Sequence, residues 1–187
     1  SPLVAMSSDG SFVVGWGQYM RWYNTLGQPI GEEFRVGPDA TLAQLAFTRD
    51  GSLNVAWYRY NYGNDFSTSI FSRRYDNSGL QVGDNTQLMQ LPSNSFGSDV
   101  VLSENGFFVV WSQSVDPGQS VDTGYFNYYA RQFNALGNPV GDIGPINTNA
   151  GTLGVKAVAG QRGGFATLWS EYLGRHALGY EIYEILA

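Results

Sequence analysis

The segment Asp9-Gly10-Ser11-Phe12-Val13-Val14-Gly15-Trp16 places a turn dipeptide directly before a short apolar run that ends on tryptophan. Variants of this segment recur three times along the chain and end at Trp57, Trp111 and Trp169. The apolar residues of each run alternate with period two, as in a β-strand, and the preceding Asp-Gly, Asn-Gly or Gly-Gly is typical of a tight two-residue hairpin. The chain is therefore predicted to contain four repeats of a hairpin unit.

A second motif follows the tryptophan strand in the first three repeats. It reads aromatic residue, Asn or Asp, two variable residues, Gly, two further residues, Ile or Val, and Gly; its copies span residues 23–31, 75–83 and 133–141. An Asn or Asp side chain can bond its own backbone across a turn, and Gly adopts positive φ without strain. The motif therefore predicts a strand, a turn and another strand, which gives four strands per repeat, named A to D.

These strands predict an all-β, propeller-like array as one domain over residues 1–187. The repeats are expected at about 1–41, 42–97, 98–153 and 154–187, a spacing comparable to that of four-stranded propeller blades. In the first repeat, strands A to D are expected at residues 3–8, 11–17, 19–23 and 30–36. The last repeat ends with its third strand at 181–187, so it is expected to lack its final strand and to leave an open edge. The four repeat tryptophans, Trp16, Trp57, Trp111 and Trp169, are predicted to form the structural core.

Composition narrows the range of partners. The chain has 187 residues, a formal net charge of −6 and no cysteine. Binding to nucleic acid or to an anionic membrane needs a basic surface, so neither partner is expected. A disulfide framework and a thiolate metal site need cysteine, and no apolar run is long enough to span a bilayer. Since the sequence starts at Ser1-Pro2, it is interpreted as a mature secreted chain or a piece of a longer one.

The succession of turn, tryptophan strand, aromatic-rich strand and Asn-x-x-Gly-x-Pro-Val-Gly resembles repeats of large secreted and cell-surface proteins of bacteria that are generally taken as propeller-like. The resemblance implies a secreted or cell-surface location and a role in adhesion. The chain is also loosely similar to integrin-type FG-GAP repeats. Their Asp-x-Asp-x-Asp-Gly calcium loop does not occur in this sequence, so that similarity does not imply calcium in the blades.

The connections between strands B and C differ most among the repeats, and variable loops on a rigid scaffold often carry function. In the second repeat this segment contains Tyr58, Tyr60 and Tyr62 at period two, which places three phenols on one side, with Arg59 and Asn61 on the other. Aromatic rings beside polar groups can stack on sugars and bond their hydroxyls. The alternative is that the tyrosines extend strand B and pack against a neighbour. The candidate ligand-binding residues are Tyr58, Tyr60, Tyr62, Asp65, Asp116, Asp122, Tyr125 and Tyr172.

No cofactor is predicted, with calcium as the alternative. Asp65, Asp116 and Asp122 could surround a calcium ion if their loops converge, because carboxylate oxygens are its preferred ligands. Their spacing matches no known ligand loop, and ordinary surface acids explain them equally. No metal-ligating residue is therefore assigned.

No catalytic residue is predicted, and the chain is expected not to be an enzyme. His176, the only histidine, follows Arg175 in a loop that also contains Glu171. The sequence has no Gly-x-Ser-x-Gly, His-Glu-x-x-His or phosphate-binding Gly motif. Glu32 and Glu33 are adjacent, so in a strand they point to opposite faces and cannot act on one bond.

Three functions remain open at this point. The first is a non-enzymatic extracellular module that binds glycan or protein through its variable loop face. The second is a self-assembling surface or filament subunit whose open C-terminal edge is completed by a strand from another copy. The third is a glycan-acting hydrolase with acids drawn from several repeats.

Overall fold

The computed structural model describes residues 1–62, 67–93, 95–103, 106–114, 126–146, 152–159, 165–175 and 181–186. These ranges contain strands and turns but no helix, and therefore no helix long and apolar enough to cross a membrane. The strands are β1 (Leu3–Met6), β2 (Phe12–Trp16), β3 (Tyr19–Tyr23), β4 (Pro29–Arg35), β5 (Ala40–Phe47), β6 (Leu53–Asn61), β7 (Ser67–Tyr75), β8 (Gln81–Gln90), β9 (Ser95–Ser103), β10 (Gly106–Ser114), β11 (Phe126–Asn134), β12 (Pro139–Pro145), β13 (Thr152–Ala159), β14 (Phe165–Arg175) and β15 (Glu181–Leu186).

The strands form four antiparallel sheets, each built from strands consecutive in the chain. The first three sheets have four strands each, and in the described ranges the fourth consists of β13, β14 and β15. The first strands of successive sheets pack together in turn, β1 on β5, β5 on β9 and β9 on β13. The predicted all-β, propeller-like array, with a last repeat that lacks its final strand, is confirmed.

The turns between strands C and D form as the Asn and Asp positions predict. In the first repeat the Asn24 side-chain Oδ1 accepts hydrogen bonds from the amides of Leu26 and Gln28, at 3.0 and 2.9 Å. Asp76 and Asn134 make the same pair of bonds in the second and third repeats. Because the side chain satisfies two turn amides, the identity of this residue fixes the chain reversal.

In the first two repeats the turns between strands A and B differ from the predicted two-residue hairpins, whereas in the third repeat Ser103 pairs with Gly106, which leaves two residues between them. The Ser7 amide donates to the Ser11 carbonyl at 2.8 Å, which closes a three-residue loop, and Gly10 has a φ of 89°. A two-residue type I′ turn needs positive φ at both central residues, but Asp39 is the only described non-glycine residue with positive φ. Asp9 instead accepts the Ser11 amide at 2.9 Å, so its role is to bond across the loop.

Each sheet presents two faces, and alternate residues of every strand belong to one or the other. We name the face directed toward the preceding sheet the leading face and the opposite one the trailing face. The leading face of the second sheet, with Leu45, Val55 and Trp57, packs on Ala5 and Val13 of the first sheet's trailing face. The next pair of sheets repeats this arrangement, with Val100, Val109 and Trp111 packed against Ala56.

The repeat tryptophans lie on leading faces but differ in burial. Trp57 and Trp111 are buried, and each ring stacks on an aromatic residue of the neighbouring strand with a centroid distance of 5.8 Å. Trp16 is only half-buried, because none of the described sheets covers the leading face of the first one. Trp169 lies in β14, and its side chain is outside the described part of the structure.

Candidate functional site

Three tyrosines on one side of β6 form a continuous row of rings. Tyr58 and Tyr60 lie in the strand, and Tyr62 follows it directly. The ring centroids of Tyr58 and Tyr60 are 6.2 Å apart, and those of Tyr60 and Tyr62 are 6.3 Å apart, with interplanar angles of 38° and 40°. We call this row the tyrosine ladder. The period-two spacing therefore brings the three rings together.

The tyrosine ladder begins on a paired strand and ends in solvent. β6 continues to Asn61, whose register partner on β7 is Ser67, so residues 58–61 of the segment expected as a loop extend the hairpin. Tyr58 packs against the core between the second and third sheets, Tyr60 is half-buried, and Tyr62 is 81% exposed. The inner ring thus anchors the row, and the outer two present aromatic surface at the end of the hairpin.

Residues on the other side of β6 hold the end of this hairpin. The Arg59 guanidinium lies over the Phe71 ring of β7, 4.6 Å from its centroid. The Asn61 side-chain amide donates to the Ser67 hydroxyl at 3.2 Å. These cross-strand contacts position the backbone from which the tyrosine ladder projects.

The Tyr60 phenol is uncharged at neutral pH. Burial raises the pKa of the Tyr60 phenol above its usual value of 10, and the neighbouring Tyr62 phenol raises it further. A neutral phenol can both donate and accept a hydrogen bond. The outer part of the tyrosine ladder therefore combines ring faces with hydroxyl groups suited to a neutral polar ligand.

The side chains of the other sequence-predicted ligand residues lie outside the described part of the structure. Asp65, Asp116, Asp122 and Tyr125 lie outside the described residues. The backbone of Tyr172 lies in β14 opposite Tyr183 of β15, and nothing is described of its side chain. No group of three or more His, Cys, Asp or Glu residues suited to a metal occurs in the described ranges, so calcium stays a prediction tied to the three aspartates.

A cleft separate from the tyrosine ladder lies between the first and second sheets, at the end where the A-to-B and C-to-D turns meet. It is a cleft of about 650 Å³ with the aromatic side chains of Trp22, Phe34 and Phe47 in its wall. Trp22 meets Phe47 edge to face at a centroid distance of 5.7 Å. The polar rim includes Asp9 and Asp50.

Sequence analysis did not single out this cleft, although one signal was present. Trp22 occupies the register position held by Arg74 in the second repeat and Gln132 in the third. Its indole Nε1 is buried and has no hydrogen-bond acceptor within the described structure. Of these three repeats, only the first has a tryptophan at this register position, and the other two have a long polar side chain. The repeats are therefore not equivalent at this position.

Asp50 gives the rim of this cleft a fixed negative charge. Hydrogen bonds from the Thr48 hydroxyl and the Ser52 amide, together with the nearby Arg74 guanidinium, lower the pKa of Asp50 to about 2. The Arg74 Nη2 lies 2.6 Å from the Asp50 Oδ2. Because this carboxylate is already engaged by its own turn, we assign it a structural role.

Comparison with known proteins identifies the architecture but no family. No family model and no curated protein sequence matches the chain. A thermostable family-43 glycoside hydrolase superposes with a TM-score of 0.51 at 13% identity, over 99% of this chain and 70% of that one. A glucose dehydrogenase gives 0.51 at 12% identity, over 91% and 57%. The soluble aldose sugar dehydrogenase of Escherichia coli gives 0.50 at 12% identity, over 98% and 63%.

These matches define the class of protein as an all-β propeller fold. The chain spans 57 to 70% of the length of these three similar chains. Identities of 12 and 13% show the fold alone. The relationship to bacterial surface repeats stays a prediction, since no family model matches.

The prediction that the chain is not an enzyme is corrected by these matches. It relied on the absence of a local catalytic motif, yet the superposed proteins are a glycoside hydrolase and two sugar dehydrogenases. In a propeller, groups brought together from several sheets can form a site that no short stretch of sequence reveals. The absence of a motif in one segment therefore carries no weight against catalysis.

Proposed function

We propose that this chain recognises carbohydrate and that the outer part of the tyrosine ladder, Tyr60 and Tyr62, is its contact surface. The observation that carries the proposal is the row of rings at 6.2 and 6.3 Å, anchored at Tyr58 and exposed at Tyr62. The wider role is in a secreted or cell-surface protein, as the repeat resemblance implies.

The chemistry of a sugar fits this surface. A pyranose or furanose ring presents C–H groups on its faces and hydroxyls around its edge, so it stacks on an aromatic ring while its hydroxyls bond to polar groups. Successive rings about 6 Å apart, as in the ladder, offer more than one stacking position along an extended glycan. The phenol hydroxyls supply donors and acceptors beside each stacking position.

The charge of the chain favours a neutral glycan over an anionic one. The formal net charge is −6, so a polysaccharide rich in carboxylate or sulfate would be repelled at low ionic strength. The names of the superposed proteins, a glycoside hydrolase and two sugar dehydrogenases, support carbohydrate as the ligand class.

Isothermal titration with neutral oligosaccharides of glucose, xylose and arabinose tests the proposal on three versions of the chain. Tyr62→Ala removes an exposed ring and is expected to weaken the binding of at least one of these sugars by about five- to thirtyfold, since a stacked aromatic contributes about 1–2 kcal/mol. Tyr62→Phe keeps the ring and is expected to stay within about threefold of the parent.

Measuring the stability of the same variants provides the control for folding. Because Tyr62 is 81% exposed, both substitutions are expected to leave the free energy of unfolding within about 0.5 kcal/mol of the parent. If no sugar of the panel binds the parent, or if Tyr62→Ala binds as the parent does, the proposal is overturned.

A further inference from the structure

The A-to-B turn of the second repeat binds an arginine from strand C of the same sheet. The Arg74 Nη2 donates to the Asp50 Oδ2 at 2.6 Å and to the Ser52 Oγ at 3.1 Å. Both acceptors come from the turn, and Arg74 lies in β7, which pairs with the strand that follows this turn. The second repeat therefore shows that a guanidinium is the group that such a turn binds.

The first repeat keeps the acceptors of this contact but not the arginine. Its A-to-B turn closes with the same backbone hydrogen bonds, and Asp9 and Ser11 occupy the positions of the two acceptors. Trp22 occupies the strand position of Arg74. Among the described residues, no Lys or Arg forms an ion pair with Asp9. The first repeat therefore has the carboxylate without the cation.

The Asp9 carboxylate is charged at neutral pH and exposed. Hydrogen bonds from the Ser11 hydroxyl at 2.7 Å and the Ser11 amide at 2.9 Å lower the pKa of Asp9 below its usual value. Both bonds go to Oδ1, and neither uses Oδ2, the oxygen whose counterpart in Asp50 binds Arg74. The side chain is exposed. Asp9 can therefore accept a further charged donor without giving up its place in the turn.

Trp22 adds an aromatic wall to the site of this carboxylate. It lines the same cleft of about 650 Å³ as Asp9 and Ser11, a volume in the range of ligand-binding pockets. Edge-to-face contacts with Phe47 and Tyr75, at centroid distances of 5.7 and 6.5 Å, hold the indole in place. A guanidinium donates to carboxylates and also stacks on aromatic rings, best on tryptophan. The cleft therefore offers both kinds of contact that a guanidinium makes.

We propose that this cleft binds an arginine side chain of a partner peptide, with the guanidinium beside Asp9 and Trp22. The ligand then supplies to the first repeat the group that Arg74 supplies to the second. The cleft lies at the A-to-B turn end of the sheets, whereas the tyrosine ladder lies at the other end of β6. This site is therefore independent of the proposed carbohydrate contact.

The charges of the cleft favour a cationic ligand. Besides Asp9, the charged residues that line it are Arg49 and Asp50. Asp50 is paired with Arg74, and Arg49 also has a partner. Asp9 is then the charge that selects the ligand, and an acidic ligand would be repelled by it and by the net charge of −6.

Titration of the chain with N-acetyl-arginine amide, followed by two-dimensional NMR, tests the proposal. Saturable shifts are expected at the Trp22 indole N–H and at the Asp9 and Ser11 amides. N-acetyl-citrulline amide has nearly the same shape but no charge, and it is expected to bind at least about tenfold more weakly. N-acetyl-lysine amide is expected to bind at least about threefold more weakly, because an ammonium lacks the planar fork of a guanidinium.

Asp9→Asn removes the charge but keeps an Oδ1 that accepts the Ser11 amide, so the turn is expected to fold as in the parent. It is expected to bind the arginine derivative at least about fivefold more weakly. Asp84→Asn is the matched control, because it removes the same charge from an exposed residue of β8 outside the cleft. It is expected to bind as the parent does.

Three results would each overturn the proposal. The first is the absence of saturable shifts in the parent. The second is binding of the citrulline or the lysine derivative as tight as that of the arginine derivative. The third is equal binding of the arginine derivative by Asp9→Asn and Asp84→Asn.

Discussion

The leading faces of the first and third sheets carry equivalent residues, but only that of the third sheet is covered by a neighbouring sheet. In both, an aliphatic residue of strand A pairs with a valine of strand B: Val4 with Val14, and Val100 with Val109. Val100 is 1% exposed and Val4 is 64% exposed. The difference shows that the repeat sequence sets which residues share a face, whereas the presence of a neighbouring sheet sets whether they are buried.

The aromatic and arginine side chains of the two sheets also differ in their contacts. On the third sheet, Trp111 stacks on Tyr129, and the Arg131 guanidinium lies 5.8 Å from the Phe133 ring. On the first sheet, Phe12 and Tyr23 stack with a centroid distance of 5.0 Å, while the guanidinium of Arg21 turns to the Gly31 carbonyl. The equivalent arginines therefore differ in partner, an aromatic ring on the third sheet and a backbone carbonyl on the first, and both partners lie in the arginine's own sheet.

The largest expected loss of stability comes from removing the buried tryptophan side chain of the third sheet. Trp111→Ala is expected to lower the free energy of unfolding by about 3–5 kcal/mol, since it leaves a large cavity at a fully buried site. Trp16→Ala, at the half-buried equivalent site, is expected to cost roughly half as much or less. Urea unfolding of dilute samples measures both values, and equal losses would contradict the difference in burial.

An intermediate effect is expected from filling the contact between the first two sheets. A Cβ at Gly15 would lie 2.7 Å from Leu42 Cδ1 and 3.1 Å from Leu45 Cδ1. Gly15→Val should therefore cost about 1–3 kcal/mol through overpacking. Gly144→Val is the matched control, because its Cβ would have no atom within 4 Å, and it should change stability by less than about 0.5 kcal/mol. Thermal unfolding that ranks the two variants in the reverse order would contradict this packing.

The smallest expected effect is on stability at acid pH, through the aspartates in the A-to-B turns of the first two repeats. The pKa of Asp50 is lowered to about 2 by bonds from Thr48 and Ser52 and by Arg74, and that of Asp9 is lowered by bonds from Ser11. A lowered pKa in the folded state stabilises the protein above the unfolded value near 4, and this contribution is lost as pH falls toward 2.

Asp50→Asn should therefore flatten the loss of stability between pH 4 and pH 2, and Asp9→Asn should flatten it less. Unfolding curves at pH 2, 3, 4 and 7 measure the slopes. Identical slopes for the parent and Asp50→Asn would show that this carboxylate is not stabilised in its turn.

Features that depend on local chemistry were predictable from the sequence. The Asn24, Asp76 and Asn134 turns follow from one side chain that bonds its own backbone, and the four sheets follow from repeated strands. The row formed by Tyr58, Tyr60 and Tyr62 follows from the period of a strand.

Features that depend on backbone conformation or on neighbouring sheets were not predictable. In the first two repeats the A-to-B turn has three residues, of which only Gly10 and Gly51 take positive φ, and the Asp-Gly dipeptide alone does not specify this. The Trp22 cleft depends on how two sheets meet, and the loop of Asp116 and Asp122 lies outside the described residues. The uncovered state of Val4 became visible only when its register equivalents could be compared.

The most direct test of this account is the oxidation of individual methionines by dilute peroxide, followed by peptide mass spectrometry. Met6 lies on the uncovered leading face with 66% exposure, and Met20 is fully buried against the second sheet. In dilute solution Met6 is expected to oxidise at least tenfold faster than Met20. Equal rates at the two residues would contradict the account.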